Sequence, residues 1–172
     1  MRRMGTKTGF ILAEALIASV VLAVALVAIS ATFSSGHQQG YYAAHCERGR
    51  ALAEELTEYI LSRPYYDPQG DTGRGPDDGE DDFSDFDNID DFHGYSQSAE
   101  LLSDIAGEAY PAEYQTFSRS VYVSYVSRTV ANLGGTLYGV LVVVTVTDKD
   151  GHSFELKRFV PSPVSDGMED WL

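Results

Sequence analysis

After Glu14, no Asp, Glu, Lys or Arg occurs until Glu47. Within that gap Ala15–Phe33 is broken only by Ser19, Ser30 and Thr32. About 20 apolar residues carry a helix across a bilayer, so this stretch requires hydrocarbon or the apolar helices of neighbours. A carboxylate at its head is costly. Insertion scales place an acidic side chain at a helix centre at roughly 2.5–3.5 kcal/mol, less near an end. Glu14 therefore needs a cationic partner. A cut between Gly9 and Phe10 would create one: the new α-amino group has a reference pKa of about 7.7–8.0 and lies one helical turn from Glu14.

Two plainer readings compete. An ordinary secretory signal has an apolar region of about 7–15 residues with a small-residue cleavage site behind it, and this run is longer. An ordinary membrane anchor has no need of a glutamate at this position.

The residues before the run are Arg2, Arg3, Lys7 and Gly9, followed by Phe10 and Glu14. This pattern resembles the class III prepilin signal of type IV pilins and type II secretion pseudopilins: a short basic leader ending in Gly, a Phe at mature position one, a Glu at mature position five. Ile11 stands where Thr is usual and Ala13 where Leu or Ile is usual; neither position carries the processing chemistry. The resemblance covers about the first tenth of the chain. It implies cutting after Gly9 by a prepilin peptidase, methylation of the Phe10 amine, and assembly into a type IV pilus-like or type II secretion pseudopilus fibre. Glu14 would pair there with a neighbour's Phe10 amine. The implied partners are other pilin-like subunits, the peptidase and an inner-membrane assembly platform. The implied location is the bacterial inner membrane, single-pass, with the C-terminal domain in the periplasm or on a fibre.

Of 172 residues, leader and apolar segment leave about 140, enough for one domain with one core. Three of the 12 Lys and Arg sit in the leader, so the processed chain would set nine basic residues against 26 acidic ones. That excess disfavours nucleic acid and anionic lipid as partners. Cys46 is the lone cysteine and forms no intramolecular disulfide. Many adhesive pilins close their C-terminal region with such a bridge, which tilts the resemblance toward a minor pilin or pseudopilin. His37, His45, His93 and His152 are dispersed, no nucleophile elbow or phosphate-cradling loop occurs, and no enzyme is expected.

The expected fold is α+β, pilin-like: a long N-terminal helix packed on a small antiparallel β-meander. Residues 1–9 are the leader, 10–35 the apolar half of the helix, and 36–63 its amphipathic half, with a permitted bend at Ser34-Ser35-Gly36 and Gly40. Ala44, Leu52, Leu56, Tyr59 and Ile60 recur near a three-to-four spacing. Arg63-Pro64 ends the helix, because a residue before proline avoids helical geometry. Residues 64–118 form an acidic variable region, with a short helix expected near Ala99–Ala106. Residues 119–160 alternate as strands, with turns at Ala131–Gly135 and at Asp148-Lys149-Asp150-Gly151. Residues 161–172 are a short tail in which Trp171 reads as a packing contact.

Within the acidic region, Phe83, Phe86, Ile89 and Phe92 recur every three residues. They would pin the segment on a core and hold Asp85, Asp87, Asp90 and Asp91 close together. Oxygen-only ligands of this kind suit Ca²⁺, although the spacing is not that of an EF-hand. A solvated acidic face is the simpler reading of the same residues. Two other functions stay open beside the assembled subunit: an adhesive tip pilin that binds through this loop, and a membrane-anchored periplasmic domain that never assembles.

Overall fold

A computed structural model describes residues 8–70, 73–130 and 135–163. They group into two compact units, Met1–His45 and Cys46–Leu172. The basic leader residues Arg2, Arg3 and Lys7, the turn at 131–134 and Trp171 lie outside the described residues.

The first element, α1, is an α-helix over Thr8–Leu61, 54 residues long. Gly36 and Gly40 do not interrupt it. Among large apolar side chains of the first unit, from Ile11 to Phe33, every one is more than half exposed. The helix is long and apolar enough to cross a membrane. A helix that is apolar on all faces and buries none of them within its own chain is complete only in hydrocarbon or among other helices.

In the second unit the last turns of α1 bury Leu52, Ala53, Leu56, Thr57 and Ile60. The Thr57 hydroxyl is satisfied by donating to the Ala53 carbonyl at 2.6 Å. Ala44 is exposed, so the amphipathic stripe begins later than its spacing implies. The helix stops at Leu61. Ser62 and Arg63 still donate backbone N–H groups to the carbonyls of Glu58, Tyr59 and Ile60, and Pro64 then prevents another turn.

Four strands follow: β1 (Ser96–Gln97), β2 (Phe117–Val130), β3 (Gly135–Asp148) and β4 (Ser153–Pro161). They lie in the order β1-β2-β3-β4, all antiparallel. The fold is α+β, as expected, with β1 added to the three-stranded meander. The register sets Val121 opposite Val144 and Val123 opposite Val142, and sets Leu156 and Phe154 opposite Val144 and Val146. Because strand side chains alternate between faces, these residues share one face. They form a core with the buried turns of α1. Gly49 permits the approach: a Cβ there would lie 2.5 Å from the Phe154 ring. At the β3–β4 turn, Asp148 Oδ1 accepts the N–H groups of Asp150 (2.8 Å) and His152 (2.9 Å), and Gly151 has φ +86°.

Residues 99–106 are not helical. Ser103 bridges Ala109, Glu100 adopts φ +71°, and Asp104 Oδ1 accepts the N–H groups of Ala106 and Glu108, both at 2.9 Å. The Gln115 amide brackets Leu102, accepting its N–H at 3.0 Å and donating to its carbonyl at 2.8 Å. Side chains here satisfy backbone groups that a helix would otherwise pair internally.

Candidate functional site

The first candidate lies at the head of α1. Gly9 and Phe10 belong to its opening turns, and Glu14 follows one turn after Phe10 on an exposed helix. The next ionisable Asp, Glu, Lys or Arg along the chain is Glu47.

The second candidate is built on the aromatic residues of the acidic region. Phe83 and Phe92 dock against Tyr59 of α1, and Phe83, Phe86 and Phe92 all dock against Tyr95. Tyr59–Phe83 centroids are 4.9 Å apart and stacked, while Phe86–Phe92 are 5.1 Å apart and edge-on. Such pairs contribute roughly 0.5–1.5 kcal/mol each beyond area burial. The segment is thereby pinned, as its spacing of three implies. It continues as a short 3₁₀ turn, Asp90–Phe92, beside β2. Two backbone bonds fasten the chain behind it: Gly94 N–H to the Val121 carbonyl (3.1 Å) and Val121 N–H to the Tyr95 carbonyl (2.9 Å). The Val123 N–H donates to His93 Nδ1 at 3.3 Å.

The four aspartates named from sequence separate on this scaffold. Asp85 is exposed, and its Oδ2 accepts the Asp82 N–H at 3.3 Å. Asp90 is buried, and its Oδ2 accepts the Tyr125 hydroxyl at 2.8 Å. Burial pushes the Asp90 carboxyl up, opposed by that hydrogen bond and aided by the Asp91 charge. Burial and the bond to Asp90 push the Tyr125 hydroxyl well above its ordinary value. Asp87 and Asp91 do come together, and the third member of their group is Glu80.

Local turns position all three. The Asn88 side chain accepts the N–H groups of Asp90 (2.7 Å) and Asp91 (3.4 Å), and Asp91 Oδ2 reciprocates by accepting those of Asp87 and Asn88, both at 2.9 Å. Asp87 Oδ2 accepts the Gln69 amide at 2.9 Å. Glu80 ends a turn in which its N–H bonds the Asp77 carbonyl and its Oε2 accepts the Asp77 N–H, both at 3.1 Å. Burial pushes Asp91 and Glu80 up. The charges acting in the same direction are those of Asp87 and Asp67, and for Glu80 also that of Asp91.

Glu80 has no periodic signal in the sequence; only the Asp77-Asp78-Gly79-Glu80 turn marks it. Arg119 is a buried charge that hydrophobic periodicity passes over. It is 2% exposed and has the parity of Val121 and Val123 on β2. No protein family, curated protein or solved structure matches the chain.

Proposed function

We propose that the chain is a structural subunit, a minor pilin or pseudopilin, assembled through its N-terminal helix into a type IV pilus-like or type II secretion pseudopilus fibre. One observation carries the reading. Glu14 is the sole charged side chain between Phe10 and Glu47, and it stands one turn from a Gly9-Phe10 junction preceded by three basic residues. The small antiparallel sheet behind a long apolar helix is compatible with it.

The mechanism follows from charge. The basic leader stays on the cytoplasmic side, in keeping with the positive-inside bias. Cutting after Gly9 by a prepilin peptidase exposes the Phe10 amine, which methylation leaves cationic. As the helix leaves the inner membrane, with the C-terminal domain in the periplasm, Glu14 of one subunit pairs with the Phe10 amine of the next. Removing one partner of a buried pair strands the other, a penalty of about 3–5 kcal/mol. The pair thereby fixes axial register. The test compares Glu14→Val with Ile11→Val in cells. Glu14→Val should be cut and inserted normally yet be depleted from sheared fibres, whereas Ile11→Val should incorporate. Equal incorporation of both rejects the charge-pair mechanism.

A further inference from the structure

We propose that Glu80, Asp87 and Asp91 form a calcium site in the region joining α1 to the sheet. One carboxylate oxygen from each lies within 4.8 Å of the others. Calcium holds oxygens at 2.3–2.6 Å, so donors on opposite sides of one ion stand about 4.6–5.2 Å apart. Three carboxylates at this spacing fit around a single ion.

Proximity of acids alone would describe an acidic patch. The independent observation is that two of these side chains each hold a buried oxygen with no partner. Asp91 is 1% exposed, and its Oδ1 is buried without a hydrogen-bond partner. Asp87 Oδ1 is in the same condition. A buried acceptor left unpaired costs about 1–3 kcal/mol, and more when it is charged. Both side chains are already oriented by their other oxygen: Asp91 Oδ2 by two backbone N–H groups, Asp87 Oδ2 by Gln69. Each carboxylate is therefore fixed by one oxygen and left with an unsatisfied, electron-rich second one. A hard cation satisfies both atoms and cancels the repulsion that Asp67 adds to the group.

The donor set selects the metal. It contains only oxygen, with no His or Cys, which excludes a site tuned to zinc or copper. It sits on irregular turns and not on a rigid octahedral frame, which suits Ca²⁺ better than Mg²⁺, an ion that demands near-ideal geometry and sheds water reluctantly. This assignment stands apart from the fibre reading, because it needs only the residues of the second unit.

The experiment uses the full chain in nonionic detergent, stripped with EDTA and dialysed at pH 7. Equilibrium dialysis against CaCl₂ should give one ion per chain. Near-UV circular dichroism should show Tm rising by roughly 5–10 °C at a hundredfold excess over Kd. Mg²⁺ at the same concentration should shift Tm less, and NaCl at matched ionic strength less again. Glu80→Gln, on a half-exposed turn, should weaken calcium at least about tenfold, while Asp85→Asn should leave it unchanged. A proton shared among the carboxylates predicts no calcium uptake at millimolar concentration, and that result overturns the proposal. So does an equal Tm shift in NaCl, or an unaltered Kd in Glu80→Gln.

Discussion

Arg119 shows how much a single buried charge organises here. Its Nε donates to Gln97 at 2.6 Å, its Nη2 donates to the Ser103 carbonyl at 2.6 Å, and its Nη1 stands 4.0 Å from Glu55 of α1. The Tyr110 hydroxyl donates to the same Glu55 carboxylate. Helix, β1, β2 and the connecting region thus meet at one guanidinium. Burial lowers the Arg119 pKa and raises that of Glu55, while each partner's charge acts the other way. Glu55 belongs to a set with Glu80, Asp90 and Asp91, all pushed up chiefly by burial. A carboxyl with a raised folded pKa binds its proton more tightly in the folded state. Its stabilising contribution is complete below the unfolded value, about 4, and is lost as pH rises through the folded value. The Tm of the EDTA-treated full chain should therefore rise as pH falls from 7 toward 4.5, and Asp90→Asn should flatten that slope. A Tm that stays level or declines over this range in the wild-type chain would contradict the electrostatic account.

At the scale of elements, the long helix and the strands were legible because their periodicities are long and uninterrupted. Val121 and Val123 on β2, and Phe154 and Leu156 on β4, alternate over enough residues to fix which face is buried. β1 was not legible. Two residues carry no period, and Ser96–Gln97 is a strand because β2 offers it an edge. The region around Ala99–Ala106 misled for the opposite reason: its composition suits a helix, but Gln115 and Asp104 capture its backbone groups from outside any helical pattern. The acidic site was half legible. The spacing of Phe83, Phe86, Ile89 and Phe92 announced a pinned segment, yet the turn chemistry of Asn88 and Asp91 decided which carboxylates converge. The helix–sheet contact at Gly49 permits a sharp test. In an open helix Gly→Ala gains about 1 kcal/mol, but here the added carbon meets Phe154, and overpacking typically costs 1–3 kcal/mol. Gly49→Ala should lower Tm in the wild-type background and raise it in a Phe154→Ala background. Additive effects would mean that Gly49 is not shaped by that ring.

Across the whole molecule, the two units have different chemical needs. The first exposes an apolar helical surface that is complete only in a bilayer or against other helices. The second holds its own core of valines, aromatics and the last turns of α1, and carries most of the acidic charge. The proposed passage from a membrane into a fibre would use this division, with one part exchanging lipid for neighbours while the other remains folded. In that proposal the exchange depends on the Phe10 amine, because without it Glu14 would enter an apolar core alone. The mass of the intact mature protein from native membranes therefore tests the central claim most directly. The account predicts a chain beginning at Phe10, and a Gly9→Val variant that retains its leader. A wild-type chain that keeps Met1, or one cut near Ser30–Ser35, would contradict it.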